Sequence, residues 1–164
     1  MTDRIYQVLF VCSHNSARSI MAEGILNSLG GGRFMAHSAG SHPAAEPHPM
    51  ALKTLTALHI DASGYRSKDW QEFAQPEAPR LDFVFTVCDK AAGEMCPVWP
   101  GQPMTAHWGV ADPVGATGSD DERLKVFWDA ALVLRRRIEL MLALPIESLD
   151  RLALQQAVSA IGTR

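Results

Sequence analysis

Cys12 and Arg18 stand at the two ends of a Cys-x5-Arg run, Cys12-Ser13-His14-Asn15-Ser16-Ala17-Arg18, followed by Ser19. A cysteine heading such a loop can serve as a nucleophile, provided that it ionises, because the thiolate attacks and the thiol does not. Arg18 offers a planar fork of donors matched to two oxygens of a tetrahedral anion. If the loop leads from a strand into a helix, the backbone N–H groups of Ser13 to Arg18 can curl around that anion at the positive end of the helix dipole. Asn15 suits a left-handed turn, and Ser19 can donate a hydrogen bond to the Cys12 sulfur. Bringing a thiol from about 8.5 to about 6 takes roughly 3 to 4 kcal/mol of preferential stabilisation, and a helix terminus supplies only about 0.3 to 2 kcal/mol. Amides, Ser19 and the Arg18 charge must then all contribute, so the chemistry needs them within one turn of the cysteine.

Two further cysteines, Cys88 and Cys96, bring the total to an odd three. In a reducing compartment lasting disulfides are disfavoured, so reactive roles compete with the plainer one of small core residues. No cluster of histidine and cysteine completes a tetrahedral set around Cys96, and no metal is expected. Asp112, in an Asp-Pro pair, is either a turn former or a general acid. His107 and Trp108, just before it, are assigned no chemistry.

The elements that must position these residues follow from hydrophobic pattern. Ile5 to Val11 is a continuous apolar run, as a strand buried on both faces requires, and Leu81 to Val87 repeats it. Ser16 to Leu29 has helical spacing and is stopped by Gly30-Gly31-Gly32. Phe34 to Ala39 reads as a strand, Ser41 to Pro49 as a loop and Met50 to His59 as a helix. Asp69 to Ala74 suggests a short helix, Ala91 to Pro103 only loop, and Met104 to Trp108 a last short strand. Asp120 to Leu144 is a long amphipathic helix with acidic residues in its first turn, ended by Pro145. Ile146 to Ile161 reads as one more helix, an addition to the core. Alternating strands and helices imply an α/β fold with a mostly parallel sheet and ligands at the carboxyl ends of its strands. Cys12 and Cys88 both fall at such ends.

At 164 residues with a formal charge of −3, the chain has the size of one domain, residues 1–164, and no basic footprint for nucleic acid or a membrane surface. The apolar run Val8 to Val11 is too short for a signal peptide or a membrane span, which points to the cytoplasm.

VLFVCSHNSARSIMAEGIL, HSAGS at His37 to Ser41, TVCDKAAGEMCP and HWGVADP together resemble the low-molecular-weight tyrosine phosphatase family in its arsenate reductase branch. The resemblance spans about residues 4–144. It implies a three-layer sandwich with a four-stranded parallel sheet flanked by helices, the first strand beside the one ending at Val87. Cysteines just past the ends of such neighbours can approach the roughly 4.4 to 6.8 Å Cα spacing of a disulfide. The resemblance further implies that Cys12 attacks arsenate, Cys88 attacks Cys12 to release arsenite, and Cys96 resolves the bond to Cys88. It makes Asp112 the general acid, the substrate a small oxyanion with phosphate or sulfate as mimics, and the reductant an external thiol, thioredoxin or a glutaredoxin/glutathione system. No cofactor is expected to be bound.

His14 and Ala17 depart from the family's commoner glycine and cysteine. Where many phosphatases follow Asp-Pro with tyrosines, Val114 to Gly118 offers no aromatic wall, which favours an inorganic substrate. Some reductases hold potassium beneath the loop with residues matching Asn15, Glu23 and Ser38 plus an aspartate. Lys68 stands at the aspartate position, and its ammonium is expected to replace the ion. Two alternatives stay open: a phosphomonoester hydrolase using Cys12, Arg18 and Asp112, with Cys88 and Cys96 protecting the nucleophile by reversible oxidation, and an anion-sensing or phosphocarrier domain.

Overall fold

The structure is a computed structural model that describes residues 4–93 and 99–163. Four parallel strands form one sheet in the order β2-β1-β3-β4, with β1 spanning Tyr6–Cys12, β2 Phe34–Gly40, β3 Phe83–Thr86 and β4 Met104–His107. Val8, Leu9, Phe10 and Val11 of β1 have no exposed surface. A strand covered on both faces has no polar side, which is why its sequence does not alternate. The helices are α1 (Arg18–Leu29), α2 (Pro49–Ala57), α3 (Asp89–Ala92), α4 (Asp120–Leu142) and α5 (Arg151–Ile161). α1, α2 and α4 pack on one another, α1 also against β1 and β2, while α5 lies on β4. The chain is thus an α/β fold whose parallel sheet is flanked by helices.

The ends of α1 and α4 differ in a way that matters for function. α4 begins with a reciprocal capping box between Ser119 and Glu122, with Asp120, Asp121 and Glu122 in its first turn. α1 begins at Arg18, two residues later than its apolar spacing suggests, because Ser16 and Ala17 belong to the loop. Its N-cap, Ala17, makes no side-chain cap, and its first turn carries no acid. The positive end of α1 is therefore left for an external anion.

Two elements depart from the sequence reading. Asp89–Ala92 is a short helix running into the stretch read as loop, and four residues are too few to show periodicity. The terminal segment is not one helix: Ile146–Ser148 is a 3-10 turn, Leu149 is extended, and the Asp150 side chain caps α5 by accepting from Ala153 N. The short helix expected around Asp69 to Ala74 is present as a 3-10 helix, Trp70–Ala74, capped by Asp69.

Candidate active site

β1 ends at Cys12 and α1 starts at Arg18, so the intervening residues must turn a strand into a helix. Asn15 takes the left-handed conformation, φ 48°. Every carbonyl from Ser13 to Asn15, and that of Ser16, is tied on the outside of the turn. His42 N donates to Ser13 O, Ala44 N to His14 O, His48 N to Ser16 O and Ser67 Oγ to Asn15 O. Gly40, paired with Cys12 in the sheet register, allows this closure, since a Cβ there would stand 2.6 Å from Ser13 O and 2.9 Å from Asn15 N. The sequence alone did not mark Ser67 or residues 42–48 as builders of the loop, because these are long-range backbone contacts.

Cys12 Sγ lies 2.8 Å from Ser19 Oγ and also receives the Ser19 and Asn15 amides. Asn15 Nδ2 donates to Ser19 Oγ, leaving the hydroxyl proton for sulfur, and Asn15 Oδ1 accepts from Lys68 N. Cys12 is 3% exposed. Burial pushes its thiol above the ordinary value and outweighs those hydrogen bonds, with the nearby Cys88 acting in the same upward direction. The expected lowering towards a resting thiolate is thus corrected: desolvation of the charged form dominates. Arg18 helps little, because Nη1 donates to Val110 O at 2.9 Å and Nη2 lies 3.6 Å from Asp112 Oδ2.

A cleft of about 240 Å³ opens over the cradle, with Cys12 at its floor and the exposed residues His14, Asp112 and Val114 at its mouth. Among the described residues its lining includes no Phe, Tyr or Trp. His14 turns away to His42 O. Asp112 is held by a turn in which Oδ1 accepts from Val114 N. On the other side of Arg18 and Asp112 a second cleft reaches Cys88. Cys88 is a free, buried thiol whose sulfur accepts from Ser13 N and from Ala91 N, both at 3.3 Å. Cys96 lies outside the described residues, so the third member of the expected relay has no geometry here.

Beneath the loop, Lys68 Nζ donates to Arg66 O and lies 3.9 Å from Glu23 Oε1, which accepts from Ser38 Oγ. Burial raises the Glu23 carboxyl and lowers the Lys68 ammonium, each opposed by the other's charge. The cluster carries a cation of its own, which is a poor fit to a further monovalent ion.

A buried thiol that receives two loop amides, an arginine at the first turn of the following helix and a carboxyl across the cleft are thus brought together at the carboxyl end of β1. The chain belongs to the family described as low molecular weight phosphotyrosine protein phosphatase, which matches residues 7–151. Among its relatives, an arsenate reductase of Halalkalibacterium halodurans is 37% identical over 121 residues, 73% of this chain and 83% of that one. A glutaredoxin arsenate reductase of Synechocystis is 31% identical over 137 residues, 84% of this chain and 96% of that one. A solved arsenate reductase in a phosphate-binding state is 30% identical with a TM-score of 0.69, covering 84% of this chain and 97% of that one.

Proposed function

We propose that this chain reduces arsenate to arsenite, with Cys12 as nucleophile and Cys88 as the second thiol of a relay. Arsenate enters the cradle, and the Arg18 fork exchanges Val110 O and Asp112 for two of its oxygens. Freed from that ion pair, the Asp112 carboxylate can take up the proton that the anion brings from Cys12 and pass it to the leaving oxygen. The doubly charged anion can take the Cys12 proton as it binds, so a neutral resting thiol is no obstacle. Sulfur then bonds to arsenic and water leaves, with no change in oxidation state. Cys88 thiolate next attacks Cys12 Sγ: the S–S bond forms, the S–As bond breaks, and its electron pair stays on arsenic, which leaves as arsenite. Cys96 attacks Cys88 Sγ in turn, Cys12 leaves as thiolate, and an external dithiol or glutathione reduces the resulting disulfide.

The observation that supports this reading over simple hydrolysis is the Cys88 sulfur held against the amide of Ser13, one residue from the nucleophile. Hydrolysis itself does not require a second thiol there, which would serve a hydrolase only by protecting the nucleophile from oxidation, whereas the relay depends on it. The cleft mouth, which among the described residues has no aromatic wall, suits a small inorganic anion.

The test is paired. Arsenite formation coupled to thioredoxin, or to glutaredoxin with glutathione, should be lost in Cys88→Ser, while release of phosphate from p-nitrophenyl phosphate should survive. Arsenite turnover in the Cys88→Ser protein equal to wild type would remove the relay, and phosphate release without any arsenite formation in wild type would leave the hydrolase.

A further inference from the structure

We infer that α5 holds the Asp112 loop in register with the nucleophile, and that Trp108 is the positioning residue through which it acts. This rests on Asp112 serving as the proton donor of the reading above.

Trp108 follows the last residue of β4 and opens the loop that leads to Asp112. Its indole is fully buried and stacks on Phe85, with centroids 3.8 Å apart and planes 9° from parallel. The indole N–H donates to Val158 O at 2.9 Å. Val158 is one of the last four residues of α5, whose carbonyls have no partner within the helix, so the loop's first residue supplies the C-terminal end of α5 with a donor. The same end presses on the strand backbone: a Cβ on Gly162 would stand 2.1 Å from His107 O. Farther back along α5, Gln155 Nε2 donates to Thr105 O and Arg151 Nη2 to Gln102 O. α5 is thus fastened along β4, the edge strand of the sheet.

Beyond Trp108 the next two carbonyls are held by other parts of the molecule. Arg137 of α4 donates to Gly109 O and Arg18 of the cradle to Val110 O. Three successive residues are therefore anchored to α5, to α4 and to the anion loop, and Asp112 follows on that backbone. The indole contact is the one among them that belongs neither to the cradle nor to the span matched by the family, which stops at the first residue of α5. A proton donor displaced by an ångström loses much of its effect, on the order of a hundred-fold.

Trp108→Phe in the full chain keeps an aromatic ring beside Phe85 while removing the donor together with part of the buried indole. It should lower kcat for arsenate by about ten-fold, within the range that misplacing a reacting group costs, with KM unchanged and a cooperative melt retained. Introduced on top of Asp112→Asn, it should bring no further loss. Gly162→Ala, which leaves the donor but forces its Cβ against His107 O, should reproduce both results. Full activity in a folded Trp108→Phe or Gly162→Ala protein, or an equal fold-loss with and without Asp112, would overturn the inference. The same variants assayed on phenyl phosphate, whose poor leaving group also needs a proton, read the Trp108–Asp112 coupling even if wild type forms no arsenite, so the two failures are separable.

Discussion

The Cys12 sulfur shows how far a residue's type and neighbours carry and where they stop. Cys12, Asn15, Arg18 and Ser19 are legible in sequence because they lie on one short stretch, and the hydrogen bond expected of Ser19 and the left-handed backbone expected of Asn15 are present. The ionisation state was not legible. It depends on how deeply the fold buries the sulfur and on where the Arg18 fork points, and Arg18 engages Val110 and Asp112, remote in sequence. The consequence can be measured. Because the folded-state value is raised, Cys12 contributes stability that is complete below the ordinary thiol pKa of about 8.5 and is lost as pH rises through the folded value. Wild type should therefore melt progressively lower than Cys12→Ser above that pH, while the two respond alike near neutrality. Tyr6 and Tyr65 are also raised by burial, but they are common to both proteins and cancel. Alkylation of Cys12 by iodoacetamide should reach its half-maximal rate at a pH above the ordinary thiol value. A half-maximum near pH 6 would show a resting thiolate and sink this account.

Elements were legible where a pattern was long enough to repeat. β1, α1 and α4 follow from runs and spacings of many residues, whereas α3 has four residues and the break before α5 depends on Asp150 capping. The seating of the anion loop was less legible, since it comes from contacts between elements: Gly40 at the end of β2, Ser67 and the Lys68 amide all hold it from outside. The Lys68 side chain was singled out from sequence, and it lies between Arg66 O and Glu23 beneath that loop. With an ammonium already there, exchanging sodium for potassium should leave melting temperature and arsenite formation unchanged. Lys68→Met should destabilise the fold by roughly 3 kcal/mol, because removing one partner of a buried pair strands the other. A melting temperature that rises with potassium in the wild-type protein would show that the ammonium does not serve as the cation.

At the scale of the whole molecule, the sheet order turns two distant cysteines into neighbours. β1 and β3 are adjacent and parallel, Val11 pairs with Thr86, and the residues that follow each strand emerge side by side at the carboxyl edge. Cys88 therefore meets the loop at Ser13, although 75 residues separate them in sequence. Thiol exchange requires an approach along the S–S axis, and both sulfurs are buried, so the proposed relay needs Cys88 to leave its place against the Ser13 amide. A single treatment separates the steps. With arsenate and no reductant, wild type can complete one passage and should accumulate a disulfide between Cys88 and Cys96, identified by mass spectrometry of peptides. Cys96→Ser should instead stop one step earlier, with Cys12 bonded to Cys88 and one equivalent of arsenite released. If arsenate leaves all three thiols free in wild type while p-nitrophenyl phosphate is still hydrolysed, adjacency of the two strands serves only to pack the sheet, and the chain is a hydrolase.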